Sequence, residues 1–241
     1  MPEGREPYVP VKLVGGVAVY SEPENYPQEI THLPPWYAAV GVHPKHIQEL
    51  TEDKFNELRT LLQSPGVSAL GEIGLDYSVN SKFLREQENI FVKVLSLAVA
   101  TKPIVLHLRG TFSDTLGIGV TARYHQLLRK NISPRQLLHV HCFTGDSTLV
   151  SDWLTEFPNT YFGYTALAHN FTEEQIIGLR SVPSDRILLE TDSPYFAPRE
   201  NSVNTPMYVG NTAEILARYL RIPVEQLLGL TLQNGMRLYR S

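Results

Sequence analysis

The chain has 241 residues, enough for one sizeable core or two small ones, and no apolar run approaches the ~20 residues that a membrane helix needs. Against 21 Lys and Arg stand 25 Asp and Glu, a formal charge of −4, so the overall field weakly repels phosphate. Nucleic acid would have to be met at a local basic or metal-centred site, which excludes a broad duplex-coating surface. Cys142 is the only cysteine, which rules out an internal disulfide and fits an intracellular protein, cytoplasmic or nuclear.

The opening stretch MPEGREPYVP is polar and Pro-rich and lacks the apolar core of a secretory signal. Residues 1–10 are expected to be poorly ordered and 11–241 to form one domain, because no linker, charge block or internal repeat divides the sequence. Strands are expected at VKLVGGVAVY (11–20) and WYAAVGV (36–42), then a helix over 51–63 with Thr51 capping at Lys54 and SPG (64–66) stopping it. VSALGEIG (67–74) precedes a helix over 84–101, and PIVLHLR (103–109) precedes one over 115–130. LLHVHCF (137–143) leads to a helix over 146–156, and TYFGYT (160–165) to one over 172–181, opened by Thr172 and an acidic first turn of Glu173 and Glu174. RILLET (186–191) is the seventh strand run, and helices near 207–220 and 223–238 close the chain. Apolar strands alternating with helices signify parallel βαβ units, hence either a (β/α) barrel or an open doubly wound sheet.

Polar residues decide between these two. His43, Glu72, His107, His141 and Asp192 each fall at or near the C-terminal end of a strand run. An open sheet draws its ligand site from two or three strands at a switch point, whereas a barrel gathers strand ends onto one face. Five contributing strands favour an α/β fold of the TIM type. Alternation along a strand also places His107 with Arg109, His139 with His141, and Glu190 with Asp192 on shared faces. Imidazoles and carboxylates crowded in one lumen are costly to dehydrate unless they pair or hold a cation. A divalent metal suits that donor set and can activate water for hydrolysis.

The ordered stretches GVHP (41–44), GEIGLDY (71–77), PIVLHLR (103–109), HCFTG (141–145) and LLETDSPYFAPR (188–199) resemble the successive signatures of TatD-type metal-dependent deoxyribonucleases. That resemblance implies an amidohydrolase-like TIM barrel and phosphodiesterase action on DNA or RNA single strands or ends, often as a 3′-5′ exonuclease. It implies one or two divalent ions, Mg, Mn or Zn. Glu72 would bridge them, with His107 and His141 on one and Asp192 on the other, and Glu72 and Asp192 would be the catalytic acids. Arg109, His43, Asp76 and Tyr195 would lie against the substrate or support the ligands.

One signature of that family is not found. An opening Asp-x-His-x-His strand, which supplies two further histidine ligands, does not occur in the sequence, whose first histidine is His32. Seven strand runs stand where a full barrel has eight. The barrel is thus expected to be incomplete at its N-terminal side, a monomer whose unpaired edges could also support dimerisation. HVH at 139–141 is not a relocated copy, since it directly precedes CFTG; His139 is expected to be a hydrogen-bonded core histidine. His46, His125 and His169 are read as surface or packing residues; Tyr164, Tyr195 and Phe196 would flank the mouth and could stack bases, although such aromatics are more often core. Two other readings stay open: a catalytically impaired, shortened form that acts by binding, and an amidohydrolase-type enzyme that cleaves another bond.

Overall fold

The computed structural model describes residues 9–197 and 203–239; residues 1–8 of the expected disordered segment lie outside it. Seven parallel strands form one sheet in strictly sequential order: β1 (Gly16–Tyr20), β2 (Trp36–Val42), β3 (Val67–Asp76), β4 (Ile104–Arg109), β5 (Leu138–His141), β6 (Thr160–Tyr164) and β7 (Ile187–Leu189). Each strand pairs with the next, and the order never reverses, so the sheet has no switch point and winds as most of a barrel. Helices α1 (Glu52–Leu61), α2 (Leu84–Leu95), α3 (Ile118–Asn131), α4 (Ser147–Glu156), α5 (Glu173–Ser181), α6 (Val209–Leu220) and α7 (Val224–Tyr239) complete the fold. Among the described residues no helix is long and apolar enough to cross a membrane.

Local chemistry places the ends of these elements. Thr51 accepts a hydrogen bond from the Lys54 amide, and Thr172 makes a full capping box with Gln175. The helix expected over 84–101 stops at Leu95, because residues beyond it turn back toward β4, pinned by Lys102 Nζ, which donates to the carbonyls of Leu62 and Val67 at 2.5 and 2.6 Å. The first strand is shorter than expected. Residues 9–15 alternate between half-buried and exposed, yet enter no ladder. Val9 N donates to Asn211 Oδ1 on α6 at 3.3 Å, so this segment leads from the α6 side of the molecule to the start of β1. No ladder joins β1 to β7 among the described residues.

Two cores follow from the alternation of the strands. The larger lies between sheet and helices and holds Trp153, Tyr124, Phe91, Phe143 and Tyr164 among its largest buried side chains. Tyr164 therefore belongs to that core, packed on Phe143 and Phe171, and not at the mouth with Tyr195. The smaller core is the inner face: Ala39, Ala69, Val105, Tyr161 and Leu188, one from each of five strands, closed by Leu238 and Tyr239 at the end of α7.

A tight approach ties the outer core to the site. The Tyr124 hydroxyl accepts from Leu75 N at 2.7 Å and donates to the His107 carbonyl, which fixes β3 against β4. Gly74, at φ +157°, leaves room for it; a Cβ there would sit 2.1 Å from the Tyr124 oxygen and 2.2 Å from His107 O. Gly74→Ala is expected to destabilise the fold by about 3 kcal/mol or more, through clash and backbone strain together. Urea denaturation checks this, and a loss below about 1 kcal/mol would show that β3 accommodates the methyl group freely.

Candidate metal centre

The C-terminal ends of β3, β4 and β5 and the turn after β7 converge on one mouth. Glu72 stands inside β3, His107 inside β4 and His141 at the end of β5; Glu190 and Asp192 follow β7. His107 Nδ1 donates to Glu72 Oε1 at 2.5 Å, and His43 lies edge-on to His107 with ring centroids 4.4 Å apart. Donor atoms of His43, Glu72 and His107 all lie within 4.8 Å of one another. A second group meeting the same limit consists of His141, Cys142 and Asp192, with His141 Nε2 3.2 Å from Asp192 Oδ1. The groups adjoin, since His141 Nε2 is 4.0 Å from Glu72 Oε1. The donors thus sort differently from the pairing of His107 with His141 that the motifs implied.

Asp192 reaches the mouth by a route that alternation does not describe. The ladder ends at Leu189, after which Glu190 N still donates to Tyr164 O at 2.9 Å, but Asp192 takes a left-handed backbone at φ 54°. Glu190 and Asp192 therefore share a target, not a strand face. Glu190 is the inner of the two: Oε1 accepts from His141 Nδ1 at 2.9 Å and lies 2.8 Å from His139 Nε2, while Oε2 accepts from Cys142 N at 2.9 Å. His139, buried as expected, bonds the Tyr239 hydroxyl at 2.6 Å through its other nitrogen.

The remaining sequence candidates fall in three positions. Asp76 is fully buried; its Oδ1 accepts from Ser78 N and Oγ, and its Oδ2 faces His107 Nε2 at 3.5 Å and Lys45 Nζ at 3.7 Å. It therefore faces the histidine and not the solvent. Arg109 is exposed at the end of β4, and Tyr195 is 63% exposed. His46 bonds Glu49, His125 packs edge-on to Trp153, and His169 bonds the Ala166 carbonyl, so none of the three joins the site.

Sequence reasoning missed Gln87. Its Oε1 accepts from Asp76 N at 2.9 Å and its Nε2 donates to Pro44 O at 3.2 Å, so it braces the loop after His43 against the end of β3. The signal was present: Gln87, Phe91 and Val94 share the buried face of α2, and a glutamine there breaks an apolar stripe.

Electrostatics at the mouth is that of charges held out of water. Burial alone would raise the Glu72 carboxyl, but the imidazoles of His141 and His107 outweigh it and bring the group down to about 2. Burial would lower His141, yet Glu190 and Glu72 hold it well above its usual value; His107 is raised likewise by Glu72 and Asp76. For His43, burial and the adjacent His107 outweigh Glu72 and Asp76 and push it down to about 3, so it stays neutral. Burial drives the Cys142 thiol up to about 12.

The residues fit a divalent cation. His107 Nε2 and Asp76 Oδ2 are buried without a hydrogen-bond partner, 3.5 Å apart, and the ring of His43 stands edge-on to that of His107. Nitrogen and carboxylate donors at such spacing match the preferences of Zn²⁺ and Mn²⁺, and the outer contacts of Asp76 and Glu190 orient the imidazoles as metal sites require.

In the metal-free chain the shifts oppose one another across pH. Glu72, held below its ordinary 4.5, stabilises the fold above that pH and loses the contribution as pH falls toward about 2. His141, held above its ordinary 6.5, stabilises below that pH and loses the contribution as pH rises through its elevated value. His43, held below its ordinary 6.5, adds a contribution that is lost as pH falls from 6.5 toward about 3, so the metal-free protein is expected to melt highest near pH 6.5. A melting temperature that climbed steadily to about pH 8 would contradict this balance.

Comparison with known proteins agrees with this geometry. The family model described as TatD related DNase matches residues 18–240. The human protein named 3'-5' RNA nuclease TATDN2 is 33% identical over 211 residues, which cover 84% of this chain but only 26% of that protein. The protein named 3'-5' ssDNA/RNA exonuclease TatD from Edwardsiella piscicida is 33% identical over 215 residues, covering 85% of this chain and 78% of its own length. Among solved structures, YJJV, a TatD homologue from Escherichia coli K12, superposes with a TM-score of 0.76 at 21% identity, over 93% of this chain and 86% of that one. The last likeness bears on the fold alone.

Proposed function

The chain belongs to the TatD related DNase family, and from that premise we propose that it is a metal-dependent phosphodiesterase acting on single-stranded nucleic acid from the 3′ end. The observation that carries this reading is the convergence of His43, Glu72, His107, His141 and Asp192 on one mouth, with buried donor atoms left unpaired.

Glu72 and His107 would hold one ion, with His43 beside them, and Asp192 and His141 would face a second position next to it. When bound, a divalent metal polarises a phosphoryl oxygen and makes hydroxide available near neutral pH. The rest falls to the chain. The Asp192 side chain, 24% exposed, lies where it can take the proton of the attacking water. Asp76 and Glu190 keep His107 and His141 in their orientations and supply negative charge that offsets the imidazoles. Arg109, exposed at the end of β4, would fork onto a substrate phosphate, and the exposed ring of Tyr195 would stack on a terminal base. We place the protein inside the cell, in cytoplasm or nucleus, working as a monomer, with its open sheet edges as the surface through which copies would pair.

Degradation of a 5′-labelled single strand with added Mn²⁺ tests the reading. A ladder shortening from the 3′ end, in DNA or RNA, is the expected outcome, and blocking the 3′ terminus should stop it. Cleavage that ignores the block, or hydrolysis of an amide ring with none of nucleic acid, would overturn the exonuclease assignment.

A further inference from the structure

The second donor group contains a residue for which neither the motifs nor the family description supplies a role. Cys142 follows His141 directly, and in a continuing strand its side chain would point away from the lumen. It does not continue: Cys142 adopts a left-handed backbone at φ 52°, a conformation rare outside glycine. Two contacts fix that turn. Cys142 N donates to Glu190 Oε2 at 2.9 Å, and Phe143 N donates to Gly163 O at 2.8 Å. The thiol then lies 3.3 Å from Thr165 Oγ1 and within 4.8 Å of donor atoms on both His141 and Asp192. Asp192 is itself left-handed, at φ 54°, so two of the three donors are aimed by unusual backbone conformations.

One carboxylate holds the arrangement together. Glu190 receives His141 Nδ1 on one oxygen and the Cys142 amide on the other, which leaves His141 Nε2 and the thiol turned toward Asp192. Tetrahedral ligation by nitrogen, sulfur and oxygen requires donor separations of about 3.3–3.6 Å, given the usual bond lengths to zinc. His141 Nε2 and Asp192 Oδ1 already stand at 3.2 Å, so a rotation of the thiol would complete the set.

We propose that His141, Cys142 and Asp192 form a second metal position beside the Glu72 site, with sulfur as one donor and a fourth place open to water. The inference rests on reading the mouth as a metal centre and is independent of which bond is cut. With one soft and one borderline donor, the site favours Zn²⁺ or Co²⁺ over Mg²⁺, which takes oxygen ligands. Filling it releases the thiol proton to solvent, because the thiolate is the ligand form. Among the described residues, His141 and Cys142 are the donors grouped with Asp192.

Because the chain holds a single cysteine, both readouts of the site are unambiguous. Full-length protein stripped of metal and titrated with Co²⁺ should develop a thiolate-to-cobalt charge-transfer absorption in the near ultraviolet. The band should survive Glu72→Gln and vanish in Cys142→Ala. Should Cys142→Ala fail to fold, the wild-type chain carries the second arm: Zn²⁺ should slow labelling of Cys142 by a thiol reagent by about tenfold or more, with Mg²⁺ having no such effect. Cobalt bound without the band, or labelling indifferent to zinc, would overturn the thiolate site. In that case metal-stimulated cleavage of nucleic acid would show that the nuclease reading stands without it. A chain that takes up no cobalt would overturn both.

Discussion

Glu72→Ala should reduce metal-stimulated cleavage about 10³-fold, with the loss in kcat, because the several kcal/mol that a metal contributes to the transition state depend on this carboxylate. Glu72 stands between two imidazoles, 2.5 Å from His107 and 4.0 Å from His141, and supplies the negative charge nearest to His107. Without it the mouth loses the carboxylate that charge-pairs most closely with His107 and one of the two that hold His141 up. Removing one partner of a buried pair also costs stability, about 3–5 kcal/mol, so the alanine variant alone could lose activity by unfolding. Glu72→Gln separates the two effects. It preserves volume and a hydrogen-bond acceptor for His107 Nδ1 but not the charge, and should keep a native circular dichroism spectrum while losing metal binding. Cleavage at the wild-type rate in a folded Glu72→Gln protein would remove Glu72 from the centre of the site.

Glu190→Ala should cost about 3–5 kcal/mol of folding stability, measured by urea denaturation of the metal-free protein. Both oxygens of this carboxylate are committed: Oε1 serves His141 and His139, and Oε2 serves the Cys142 amide. Truncation leaves these groups facing a gap without their counter-charge. Gly163 shows how closely the space is fitted, since a Cβ there would meet both Glu190 carboxylate oxygens at 2.4 Å. Glu190→Gln should recover part of the stability, because an amide oxygen can still accept from the Cys142 amide or one imidazole. A loss under about 1 kcal/mol for the alanine variant would mean that water replaces the carboxylate at little cost, and that Glu190 does not organise this half of the mouth.

The framework of this site could be read from the sequence because each element carries its own signal. Runs such as WYAAVGV and PIVLHLR are apolar on both faces, and they became β2 and β4 within a residue of the expected limits. Acids and histidines at the ends of such runs stand out against their apolar neighbours, which is why Glu72, His107, His141 and Asp192 were legible as a group. Their pairing was not. Which imidazole meets which carboxylate depends on register between strands and on a turn at residues 190–192 that leaves strand geometry, and alternation within one segment carries neither.

Contacts between distant parts of the chain were invisible for the same reason. His139 could be assigned to a deeper layer from its spacing to His141, but its partner Tyr239 lies a hundred residues further on. Gln87 reaches Pro44, and Lys102 reaches the end of α1, through side chains whose neighbours only the packed sheet defines. Tyr164 could be read either as core or as lining the mouth; it faces the helices and is buried there. The segment 9–15 reads as strand from composition, yet hydrogen bonding to a neighbour decides whether an extended chain becomes one, and here its one described amide contact is to a side chain of α6.

Metal content and cleavage measured on the same preparation test the central claim most directly. Protein stripped with a chelator should leave a single-stranded oligonucleotide intact, and stepwise return of Mn²⁺ or Zn²⁺ should restore 3′-end degradation in proportion to the metal bound, in the wild-type chain but not in Glu72→Gln. Cleavage that persists undiminished in metal-free protein, or bound metal that brings no cleavage, would contradict the account.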